Sequence, residues 1–67
     1  SRMFAAGDSL LDTDLLRAAD AAIRPRHGEL HDTGWTVPHL RVTRASGVRA
    51  GAEIVRWLAE RVGRVNT

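Results

Sequence analysis

Apolar residues recur at helical spacing soon after the start of the chain: Leu11, Leu15, Ala18 and Ala22 form one stripe, with Leu16, Ala19 and Ile23 beside it. A period of three to four residues marks an amphipathic helix. Asp8 or Ser9 can cap its free amides, Asp12 and Asp14 fall in its first turn where the macrodipole favours anions, and Pro25 stops it. These signals predict a first helix from Leu10 to Arg24. The stretch from Pro25 to Gly34 has no period and two glycines, so it reads as a loop with at most one short turn, held down by Leu30. Thr36 as N-cap and Pro38 in the first turn open a second predicted helix, which runs to about Ala45 and is broken by Ser46-Gly47. Periodicity resumes at Val48, Ala52, Val55, Leu58 and Val62, predicting a third helix over 48–62. Its other face carries Arg49, Glu53, Arg56, Glu60 and Arg64, while Ile54, Trp57 and Arg61 flank the apolar stripe. The pattern as a whole predicts an all-α (or mostly α) fold, a small three-helix domain of helix-turn-helix or winged-helix-like kind. Only Arg64 to Thr67 follow Gly63, so the wing is expected to be short or absent.

With 67 residues the chain reads as one domain, 1–67, with residues 1–9 as a flexible lead and Ser1-Arg2 as a cloning remnant. It is expected to be a piece of a larger protein. A domain of this size buries too little surface to enclose a large active site, so no enzyme is expected. No apolar run approaches the ~20 residues that cross a bilayer, and no signal-peptide core follows Met3, so a chain without membrane insertion, located in the cytoplasm, is expected. With no cysteine there is neither a disulfide framework nor a thiolate metal site, and the core must hold the fold unaided.

Charge divides the chain. Up to Gly34, four arginines (Arg2, Arg17, Arg24, Arg26) stand against six acids (Asp8, Asp12, Asp14, Asp20, Glu29, Asp32). From Trp35 on, six arginines (Arg41, Arg44, Arg49, Arg56, Arg61, Arg64) face only Glu53 and Glu60. A positive half of this kind suits contact with phosphate. Two helices joined through a glycine turn, the second studded with arginine, match the helix-turn-helix, which lays its second helix in the major groove. Double-stranded DNA is therefore the expected partner, with Arg44 and Arg49 as leading contacts, Arg41 and Arg56 behind them, and Glu53 as a base-facing candidate. The alternative is a protein-interaction module that docks another chain, or a second copy, through Val48, Val55, Trp57, Leu58 and Val62.

The segment from Trp35 to Arg61 resembles the winged-helix gamma domain of FtsK-type DNA translocases. In that family a leucine seven residues before the turn glycine is followed by a pattern like I-G-Y-N-R-A-A-R-L-I-D-x-L-E. Here Leu40 precedes Gly47, and Gly51-Ala52, Ile54-Val55 and Leu58 fall in register. A similar arrangement occurs in the C-terminal DNA-binding domain of TraB-type plasmid-transfer translocases. The resemblance implies a sequence-reading module of a translocation, plasmid-transfer or regulatory protein. Arg49 keeps a polar contact position, whereas Ala50 and Glu53 stand where the family has arginines.

Other signals carry less. Gly7-Asp8-Ser9-Leu10 spells the block of the GDSL hydrolases, but no histidine lies three residues after an aspartate, and Ser9 reads better as a helix cap. His27 and His31 stand four apart, with Asp32 and His39 nearby, yet Pro25 and Gly28 argue against the helix such ligands need. No metal or cofactor is expected. Trp35 and Trp57 each flank an apolar pattern and are expected to pack rather than to stack on bases.

Overall fold

The computed structural model describes residues 2–65, with side chains described through residue 63. Ser1, the first residue of the suspected remnant, and the final wing candidates Asn66 and Thr67 lie outside the described residues. The all-α expectation is corrected: the chain forms an α/β fold around a three-stranded parallel sheet. Strands β1 (Phe4–Ala6), β2 (Ala21–Arg24) and β3 (Leu40–Val42) lie in the order β1-β2-β3. A 3-10 turn over Leu10–Asp12 leads into helix α1 (Thr13–Ala18), α2 covers Glu29–Thr33, and α3 covers Val48–Val65.

The first predicted helix forms in its first half only. Ser9 caps the 3-10 turn in a reciprocal box with Asp12, and helical structure runs to Ala18. Ala19 is already extended, with ψ of 155°, and Ala21–Arg24 is strand where four more helical residues were predicted. A short apolar run fits either period, so the pairing partner decides. Asp20 donates its N–H to the Met3 carbonyl at 2.8 Å and accepts the Met3 N–H on its carboxylate at 2.6 Å, which aligns the new strand with β1. The predicted flexible lead therefore contains β1, paired Phe4 to Ala21, Ala5 to Ala22 and Ala6 to Ile23.

The second predicted helix, 36–45, is absent. Pro38 sits in a turn closed by Leu40 N–H to Val37 C=O at 3.1 Å, and Leu40–Val42 pairs with Ala22–Arg24. Leu40-Arg41-Val42-Thr43 alternates apolar with polar and ends in β-branched residues, a strand pattern that the Thr36 and Pro38 cap signals masked. Without that helix there is no helix-turn-helix among the described residues. α3 forms as predicted and continues through Gly63, where a wing was to start.

Side chains alternate across the sheet and set its two layers. Ala5, Ala22 and Leu40 lie in one row across the register, and on that face Leu16 of α1 and Leu30 of α2 close the core with Ala19 and Trp35. Phe4, Ala6, Ile23 and Arg41 point the other way, where the Trp57 ring of α3 meets Phe4 edge to face at 6.3 Å. Covering both faces is what a parallel sheet requires. Ala5 of β1 and Ala22 of β2 present only a methyl group to the helices on that face.

Within α3 the outcome inverts the expected face. Ala50 and Trp57 are buried toward the sheet, whereas Val48, Val55 and Val62, on the stripe read as apolar packing, are exposed. The predicted contrast is measurable by urea unfolding. Leu16→Ala removes a side chain with no exposure and is expected to cost ~2–4 kcal/mol. Leu15→Ala, next to it and about half exposed at 48%, is expected to cost under about 1 kcal/mol. Equal losses would contradict the layer assignment.

Candidate functional site

All three strands point the same way, so the loops that follow them collect at one edge of the sheet. There a cavity of about 310 Å³ is lined by Ala6, Gly7 and Asp8 after β1, Pro25 and His27 after β2, and Gly47, Val48, Gly51 and Ile54 at the start of α3. The loop after β1 is built around Asp12. Its Oδ2 accepts the N–H groups of Asp8 at 3.2 Å and Ser9 at 3.1 Å. This holds only because residue 7 is glycine: a Cβ there would lie 2.6 Å from the Asp12 Cβ. Glu29 ties the same loop to α2, accepting from Ser9 Oγ at 2.9 Å and from Leu10 N–H at 3.1 Å. The Ser9 hydroxyl also accepts the Leu11 N–H at 3.2 Å, so it is engaged as a cap and clip. The Asp8 carbonyl takes the Leu30 N–H at 3.2 Å. Its exposed carboxylate, by contrast, takes no hydrogen bond among the described residues.

On the opposite wall His27 accepts the Gly47 N–H on Nδ1 at 3.0 Å, which leaves the ring proton on Nε2. Gly47 has a φ of +63°, a left-handed turn that glycine takes without strain, and it supplies no side chain to cap α3. The first turn of this 18-residue helix carries no acid either. One wall of the cavity therefore holds the start of α3, where the Val48 and Arg49 N–H groups have no partner among the described residues, and the other holds the Asp8 carboxylate. His31, paired with His27 by spacing alone, is turned elsewhere: its Nδ1 accepts from the buried Arg24 guanidinium at 3.0 Å. Arg24 also donates to the carbonyls of Trp35 at 3.2 Å and Pro25 at 3.1 Å, while His39 Nε2 donates to the Leu16 carbonyl at 2.8 Å. Among the described residues no three His, Asp or Glu side chains converge as a metal cage.

The residues expected to touch DNA are brought together on the α3 side. Arg41 on β3, Arg44 in the loop, and Arg49, Glu53 and Arg56 on α3 line one cleft of about 450 Å³, together with Ala52. Glu53 differs from its expected role. Its carboxylate accepts the Arg44 N–H at 3.0 and 2.9 Å and the Ala45 N–H at 3.0 Å, so it fastens the loop before α3. The apolar docking face expected on α3 is divided: Val48, Val55 and Val62 face outward, whereas Trp57 is buried and Leu58 half-buried.

Asp8, His27, Gly47 and Gly51 were not singled out together by the sequence. The signal that points to them is a short apolar run ending in Gly-Asp, but it acquires meaning only once that run is a strand in a parallel sheet. The fold and this edge define the class as a parallel α/β unit whose loops converge outside the carboxyl ends of its strands. No protein-family model matches the chain, and no curated protein or solved structure matches it. No described helix is long and apolar enough to cross a membrane.

The backbone N–H groups of Arg44 and Ala45 hold the Glu53 carboxyl below its ordinary value of 4.5, assisted by the charges of Arg41 and Arg44. A carboxyl lowered in the folded state stabilises above its unfolded pKa, and that contribution is lost as pH falls through the folded value. Glu53→Gln is therefore expected to be less stable than the native chain at pH 7, with the two converging in acid below the ordinary carboxyl range. Denaturant unfolding at both pH values measures this. A gap that persists in acid would mean that the charge is not what fastens the loop.

Proposed function

We propose that the carboxyl edge of the sheet binds a small phosphate-bearing molecule together with a divalent cation. Asp8 takes the cation, and the amino end of α3 with His27 takes the phosphate. The observation that carries this reading is the cavity that Asp8 shares with the start of α3, where the Val48 and Arg49 N–H groups have no hydrogen-bond partner among the described residues. In open parallel α/β sheets, ligands bind in the crevice outside the carboxyl ends of the strands. Free amides and the dipole at the start of a long helix favour an anion, and the His27 Nε2–H adds a donor on the same side.

Asp8 alone would repel that anion. A hard cation between the two removes the conflict. Mg²⁺ in particular is usually held through one or two carboxylates plus substrate phosphates and water, so it needs no cage of three protein ligands. Asp12 stands beside Asp8 as the second carboxylate, with one oxygen given to the loop amides. With the Ser9 hydroxyl engaged as cap and clip, the reading is one of binding and assigns no bond-making step to Ser9. The duplex-DNA expectation keeps one supporting observation, the shared arginine cleft, and loses the helix-turn-helix that was to aim it into a major groove.

Titration with Mn²⁺ followed by electron paramagnetic resonance, with and without inorganic phosphate, tests the proposal. The native chain is expected to bind Mn²⁺, and to bind it more tightly when phosphate is present. Asp8→Asn is expected to weaken binding about tenfold, whereas Asp14→Asn, at an exposed acid of α1, leaves it unchanged. Equal Mn²⁺ binding by the native and Asp8→Asn chains overturns the assignment.

A further inference from the structure

The outer side of α3 carries a second pattern, which meets the sheet-edge cavity only at its amino end, at Val48 and Gly51. Val48, Ala52, Val55, Ala59 and Val62 follow one another at spacings of four, three, four and three, and all are exposed. The valines are 95%, 67% and 49% exposed. Such spacing forms a seam along one side of a helix and fits the knobs of a partner helix lying along it. At 1.5 Å per residue, the seam from Val48 to Val62 is about 21 Å long.

The two flanks of the seam differ. On one side stand Arg49 and Arg56, and the cleft beyond them adds Arg44 and Arg41. Glu53, the acid within this cleft, has its carboxylate tied to the amides of Arg44 and Ala45, and its charge offsets part of that of Arg41 and Arg44. Glu60 lies farther along the same flank. On the other side are Gly51 and the half-buried Leu58.

We propose that this face docks an amphipathic helix of another protein, one whose apolar seam is bordered on one side by Asp or Glu. Three occupants meet the arginines differently. A second copy of α3 laid parallel sets Arg49 and Arg56 against Gly51 and Leu58, and laid antiparallel it brings flank against flank with only Glu60 to meet Arg49, so neither arrangement satisfies all the arginines. Duplex DNA satisfies the arginines but sets the valine seam against phosphate and water. An acid-bordered helix satisfies both features at once, with apolar burial supplying affinity and the charges fixing orientation.

The probe is a fluorescein-labelled synthetic helix with leucines at four–three spacing and glutamates on its flanks, followed by fluorescence anisotropy at physiological salt. Controls are the same peptide with lysines for the glutamates, and random-sequence duplex DNA. The glutamate peptide is expected to bind the native chain and to lose about tenfold or more in affinity with Val55→Glu, and likewise with Arg49→Glu. Val55→Ser, which removes the apolar contact without adding charge, is expected to weaken it in the same direction. Circular dichroism verifies that each variant keeps the native fold. The lysine peptide is expected to bind at least tenfold more weakly than the glutamate one. The proposal is overturned if the glutamate peptide does not bind, if its binding is indifferent to both Val55 substitutions, or if duplex DNA binds more tightly than the peptide with the same dependence on Arg49.

Discussion

Everything in this fold depends on β2 being hydrogen-bonded along both edges and covered on both faces. Ala22 and Ile23 have no exposure, and Arg24 is nearly as deeply placed. A central strand in a parallel sheet has no solvent side, so the chain must return over the sheet between strands, and each return has to bring a helix with it. That requirement puts Leu16 and Leu30 over one face and Trp57 over the other. It also sends every strand out at the same edge, so Gly7-Asp8, Pro25 to His27 and Thr43 to Gly47 become neighbours although they are far apart in sequence.

At that edge the backbone is held by side chains that spend their hydrogen-bonding capacity on main-chain groups. Asp12 and Glu53 collect amides. The fully buried Thr43 accepts the Arg26 N–H at 3.0 Å and donates to the Ala45 carbonyl at 2.6 Å, and Arg26 Nε returns to the Thr43 carbonyl at 3.1 Å. Buried or crowded turns carry polar groups that must find partners, and short polar side chains supply them locally. Among the described residues the indole N–H of Trp57 is the exception, buried without an acceptor. The Arg61 guanidinium lies 4.1 Å over the centre of its ring, an attraction that acts on the ring face and leaves the N–H as it is.

One helix thus serves two surfaces. The amino end of α3 lines the cavity at the sheet edge together with Asp8, and its outward side presents valines beside arginines. The layer underneath is thin, with Ala50 packed on the sheet and Trp57 reaching Phe4. Changes at Val55, Ala59 or Val62 on the outer side are therefore separable from the cavity, whereas changes at Gly47, Val48 or Gly51 touch it directly.

Local signals were legible wherever the chain interacts with itself over a few residues. Ser9 and Asp12 announce a helix start, Gly47 precedes another, and the period from Val48 onward marks α3 with its first residue correct. Trp35 and Trp57 pack, as their apolar surroundings suggest. The sequence also set the arginines within reach of one another, although a strand and a loop, rather than a second helix, deliver Arg41 and Arg44. What the sequence could not express was the pairing of Phe4 with Ala21 and of Ala22 with Leu40. Ala21-Ala22-Ile23 suits a helix by propensity and becomes strand because hydrogen bonds to two distant segments, made only after the chain has crossed back, outweigh that preference. Which side of α3 faces the protein follows from the same cause. The helix turns Ala50 and Trp57 inward because the sheet lies there, and the existence of that sheet was decided by tertiary contacts alone.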